Sequence, residues 1–114
     1  MELLVLVLNQ PEHLDAILEG FLQAGLSGAT VLESTGMGRT LCDKVPVFGG
    51  LRNLIRGCRP DNVTVFTVIG SVEKRQKAVK VIEDILGDLD RPNTGLYFTV
   101  PVSMVRGLAE PLTE

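Results

Sequence analysis

Gly36, Gly38 and Arg39 close the run Thr30-Val-Leu-Glu-Ser-Thr-Gly-Met-Gly-Arg39 and combine two backbone-freeing residues with a permanent cation. Glycine adopts positive φ without steric cost, so the N–H groups on either side of Met37 can converge into an anion-binding nest. Arg39 adds a forked charge matched to phosphate or carboxylate. By itself the pattern also fits a tight turn with a solvated arginine. Beyond it, Arg52, Arg56 and Arg59 form a local basic group in an acidic chain, which suits either an acidic partner surface or an ordinary solvated face. Lys74, Arg75, Lys77 and Lys80 read as the exposed side of an amphipathic helix.

Other reactive residue types are sparse. His13, the single histidine, stands between Glu12 and Asp15, too small a local group for a metal site. No Ser-His-Asp, Cys-His or paired-carboxylate arrangement is visible, so the chain is not expected to be an enzyme, and no covalent cofactor is expected. Cys42 and Cys58 lie far apart in sequence without a signal-peptide pattern. That favours free thiols in a reducing cytoplasm, with a regulatory thiol pair as the alternative.

Composition narrows the function classes. A chain of 114 residues is expected to form one domain, residues 1–114, with a single core. Hydrophobic residues make up 45% and aromatics only 4%, with no tryptophan, so the core is aliphatic and stacking platforms for single-stranded nucleic acid are missing. The net charge of −3 argues the same way. No apolar run reaches the length of a membrane span.

The elements that must position these residues follow from periodicity. Leu3 to Leu8 is an aliphatic run of strand length, and Pro11 with Glu12 marks the first turn of a helix. Leu14, Ile17, Leu18, Phe21 and Leu22 form its apolar stripe until Gly25 ends it. Residues 29–35 read as a second strand. Residues 40–60 are a long excursion broken by Pro46, Gly49, Gly50, Gly57 and Pro60, where Leu51 to Ile55 can make at most a short helix. Val63 to Ile69 is a third strand, and Ser71 caps a helix from Val72 whose stripe is Val79, Ile82, Ile85 and Leu86, stopped by Gly87. Asp88 to Gly95 is turn-rich, and Leu96 to Val102 is a fourth strand with Pro101 at an edge or an end. The tail from Ser103 is irregular but carries apolar Met104, Val105 and Leu108.

The order β-α-β, excursion, β-α-β predicts a ferredoxin-like α+β sandwich: an antiparallel four-stranded sheet with both helices on one face. Strands 3–8 and 63–69 are apolar or Thr on both faces, and two helices cover only one. The other face is therefore expected to meet further copies of the chain in a closed cyclic oligomer.

Gly28-x-Thr30-Val31-x-Glu33-x-x-Gly36-x-Gly38-Arg39 resembles the segment leading into the T-loop of the PII family of nitrogen-regulatory signalling proteins. Gly95-x-x-Phe98-x-Val100-Pro101-Val102 is similar to the strand after that family's B-loop. Together the likeness covers most of the chain. It implies a homotrimer with ATP or ADP in clefts between subunits, and a T-loop, here residues 40–60, that docks onto a target enzyme, transporter or transcription regulator. It places Thr30 at the nucleotide base, Gly36, Met37, Gly38 and Arg39 at the loop base against the ligand, Gly95 in the B-loop, and Arg106 near a neighbour's phosphates. Leu96 stands where the family carries lysine, Thr40 where it commonly has glutamine, and the only tyrosine is Tyr97, outside the loop. Trimeric CutA-like metal-binding proteins share the architecture and supply the alternative, and a ligand-free interaction module is the third. An acylphosphatase-type enzyme would need an arginine close after the first strand, where Asn9-Gln10-Pro11-Glu12 supplies none.

Overall fold

In the first strand, Leu4, Leu6 and Leu8 alternate toward one side and are fully buried, each contributing about 1.5–3 kcal/mol. The computed structural model describes residues 1–26, 28–35, 62–91 and 94–108. Its elements are β1 (Glu2–Leu8), a 3-10 turn (Pro11–His13) leading into α1 (Leu14–Gln23), β2 (Thr30–Ser34), β3 (Asn62–Ile69), α2 (Val72–Leu86) and β4 (Gly95–Pro101). The strands lie in the order β2-β3-β1-β4, every pair antiparallel. Both helices cover one face, which makes the fold ferredoxin-like α+β. Residues 36–61, with the glycine–arginine turn, the excursion and both cysteines, lie outside the described residues.

The core forms where inward strand positions meet the helices. Leu4, Leu6, Leu8, Val63, Val65 and Ile69 pack with Ile17 and Phe21 of α1 and Ala78, Ile82 and Leu86 of α2. Local signals bound the helices. Gly25 (φ 90°) ends α1 in a Schellman arrangement, in which the Leu26 N–H donates to the Phe21 carbonyl at 2.9 Å and the Gly25 N–H to Leu22 at 3.1 Å. The Ser71 hydroxyl accepts the Lys74 N–H at 3.2 Å and caps α2, and Gly87 (φ 75°) terminates it. Pro101 closes β4, which is also an edge strand.

Several expected positions shift. Leu22 is 68% exposed, because the stripe of α1 is centred on Ile17 and Phe21 and Leu22 falls at its margin beside the short edge strand β2. Val79 is only half-buried, and the core position next to it belongs to Ala78, whose small side chain lets α2 sit close to its neighbours. Arg75 is not a free surface charge: its Nη1 donates to both carboxylate oxygens of Glu2, at 2.9 and 3.1 Å, tying α2 to the start of β1. The second strand is Thr30–Ser34, shorter than 29–35, and the fourth begins at Gly95.

Candidate functional site

The strand order puts the candidate residues on opposite edges of the sheet, and register puts them at different levels. Thr30 opens β2 opposite Phe66, whereas Gly95 opens β4 opposite Leu8, which itself pairs with Val63. Three strand spacings and three residues of rise separate Thr30 from Gly95, on the order of 17 Å within one chain.

At the Thr30 end, Gly28, Ala29 and Thr30 line an open cleft of about 440 Å³ with Leu3, Phe66, Thr67, Val68 and Leu108. None of these side chains is charged. Thr67 is buried, and its hydroxyl donates to the Gly28 carbonyl at 2.7 Å, which fixes the wall of the cleft against β3. The C-terminal segment brings Leu108 to this cleft, with exposed Arg106 two residues earlier and Gly107 turning between them at φ 89°. A threonine hydroxyl within an apolar lining suits the flat, uncharged part of a ligand.

At the other end, the Thr94 carbonyl accepts the Asn9 N–H at 3.4 Å and holds the start of β4 against the end of β1. Gly95 has φ 143°, and a Cβ on it would lie 2.5 Å from the Val7 carbonyl oxygen. This glycine is therefore demanded by local backbone geometry whether or not a ligand binds nearby. The Asp88 carboxylate accepts the Asp90 N–H at 2.9 Å and shapes the acidic turn after α2. Ser34 ends β2 here, two residues before Gly36 in sequence. Gly36, Met37, Gly38 and Arg39 themselves lie outside the described residues.

The structure thus gathers Thr30 and the Arg106–Leu108 segment at one end and Gly95 with the end of β2 at the other, and does not join them within one chain. Sequence reasoning missed Leu3, Phe66, Thr67 and Val68 as cleft residues. Their side-chain types gave no signal, because only the pairing register shows which of them reach the mouth of β2. It also missed a group of uncharged polar side chains, Asn9, Ser34, Asn62 and Thr64, on the helix-free face. Among the described residues no group of three or more His, Cys, Asp or Glu side chains converges as a metal site would require, and no helix is long and apolar enough to cross a membrane. No protein-family model matches the sequence, and no curated protein matches it.

Proposed function

We propose that this chain is a PII-like regulatory protein that assembles as a ring of copies, three on the family resemblance. In that ring the Thr30 cleft of one copy meets the Gly95 end of its neighbour and forms a site for a small anionic metabolite. An adenine nucleotide is the first candidate: the uncharged cleft would hold the base, while Arg39 and Arg106 would serve the anionic end. Ligand binding would bias residues 40–60 between states with different affinity for a target protein, because only differential affinity shifts such an equilibrium.

One observation carries the reading. The helix-free sheet face exposes Leu32, Leu96, Phe98 and Val100 at 51, 53, 46 and 39%, an apolar surface that calls for a partner. Closing it against further copies would also allow half-sites some 17 Å apart in one chain to adjoin across an interface. Leu96 belongs to that apolar surface and adds no charge to the anion site, so the cation must come from the arginines. In a CutA-like reading a metal would take the place of the anion, and in a ligand-free module neither would bind.

The experiment is sedimentation velocity followed by calorimetric titration with ATP, ADP and divalent metal ions. A ring that binds nucleotide supports the proposal, and a monomer at micromolar concentration overturns the shared site. Replacing Arg39 by Ala is expected to weaken nucleotide binding about tenfold or more, the equivalent of a charge-assisted contact of roughly 1.5–3 kcal/mol. Unchanged affinity would remove Arg39 from the site. Metal binding without nucleotide binding would favour the CutA-like alternative.

A further inference from the structure

Four side chains interrupt the apolar surface of the open sheet face with a connected polar row. Ser34 Oγ donates to Asn62 Oδ1 and lies 2.9 Å from Thr64 Oγ1, while the Asn62 amide donates to Asn9 Oδ1 at 3.5 Å. The row crosses β2, β3 and the end of β1 at one end of the sheet, and all four residues are half-buried. Beyond it the face is Leu, Val and Phe, with Thr30 on the β2 edge level with Phe66. Among the described residues, no outward-facing strand position is charged, in a chain of which 22% is Asp, Glu, Lys or Arg.

That distribution speaks to the occupant of the face. Copies of an acidic chain can meet through this face without like-charge repulsion, because its strand positions carry no charge. A partner chosen by charge would find nothing to recognise. The row is suited to dry burial, because its members already satisfy one another in part and so lose less on leaving water.

We infer that the Ser34–Asn62–Asn9 row, with Thr64, sets the register in which copies of this chain pack through their open faces. The inference rests on the reading above that the face is an interface between copies. Apolar contact is non-directional and tolerates sliding. The row does not. Among the described residues the Asn9 amide N–H groups meet no acceptor and each hydroxyl oxygen has spare acceptor capacity, so these groups can pair when rows meet. Cyclic symmetry holds equivalent residues at one level along the axis, which brings row to row. A slipped copy would set these groups against Leu32, Phe98 or Val100, stripped of water and without partners. A buried polar group at one position specifying register has precedent in helical assemblies.

The test uses the full chain in native mass spectrometry and sedimentation equilibrium. The triple variant Ser34→Ala, Asn62→Leu, Thr64→Val removes three of the four polar side chains of the row at similar volume and leaves Asn9 without its partner. It is expected to split the single stoichiometry of the wild type into several while keeping assembly at least as tight. One unchanged stoichiometry in the folded triple variant overturns the inference. Should circular dichroism show that variant unfolded, Asn62→Asp decides: a charge within the row is expected to weaken assembly about a hundredfold or more. Unchanged assembly of Asn62→Asp places the row outside the interface and overturns the inference. A monomeric wild type overturns the underlying interface reading, and the variants are not needed to see it.

Discussion

Tyr97 lies on the helix side of β4, and its hydroxyl donates to Glu83 Oε1 at 3.1 Å. Burial raises its pKa above the ordinary 10.0, and the hydrogen bond to Glu83 and the charge of that carboxylate raise it further. A phenol that holds its proton more tightly in the folded state stabilises the fold below the unfolded pKa. That contribution is lost as pH rises through the folded value. Because Tyr97 is the only tyrosine, ultraviolet absorbance titration reads it without overlap. The midpoint is expected above 10.0 and should fall toward it in Glu83→Gln; an identical midpoint in both proteins would remove Glu83 as a cause. Gly95 shows the limit of reading single residues from sequence. It was legible as a glycine at a loop edge, but not as a residue pinned beneath the Val7 carbonyl, because that approach comes from a strand 87 positions earlier, when β1 and β4 pair at Leu8 and Gly95. Substituting Gly95 would strain the backbone and could not isolate a role in binding.

The two helices meet where α1 carries Gly20. A Cβ there would lie 2.5 Å from Val81 Cγ1 of α2, so the glycine sets how closely the helices approach. Two effects of Gly20→Ala oppose each other: helix propensity gains about 1 kcal/mol, while overpacking typically costs about 1–3 kcal/mol. Val81 is β-branched and stiff at χ1, so it cannot swing aside and the clash should win. Urea unfolding is expected to show a lower midpoint for Gly20→Ala and a recovery in the Gly20→Ala, Val81→Ala pair; additive losses would argue against this contact. The helix ends were legible because Gly25, Ser71 and Gly87 act locally. The exact stripes were less so. Leu22 and Val79 are apolar enough to join any helical pattern, but the position of the sheet beneath each helix leaves Leu22 outside and gives the core to Ala78.

For the whole molecule, the helix-free sheet face dominates. Across its middle, Phe66, Val5 and Phe98 stand in register on β3, β1 and β4, with Val5 buried and Phe98 46% exposed. Phe98 therefore offers its surface outward rather than to the core. On the proposed assembly, Phe98→Glu is expected to leave the fold and its far-ultraviolet circular dichroism intact while lowering the sedimentation coefficient to that of a monomer, since the new charge would be buried between copies. A variant that sediments like the wild type would show that assembly, if present, uses another surface. That one face of the sheet needs covering was legible in the apolar and threonine runs of 3–8 and 63–69. Which rows are apolar and which polar was not, because it depends on how four strands are aligned.

By itself the sequence determined the order of four strands and two helices, their stops and caps, and the excess of apolar strand surface over what two helices can cover. These follow from periodicity and from glycine, proline and serine chemistry acting within a few residues. Only the tertiary structure decided that Thr30 and Gly95 stand on opposite edge strands and at different levels of the sheet, that Thr67 closes the wall of a cleft, and that Asn9, Ser34, Asn62 and Thr64 form one row. The reason is register: residues up to 99 positions apart, as Glu2 and Pro101 are, become neighbours through strand pairing, and a slip of one residue would turn each of them to the other face.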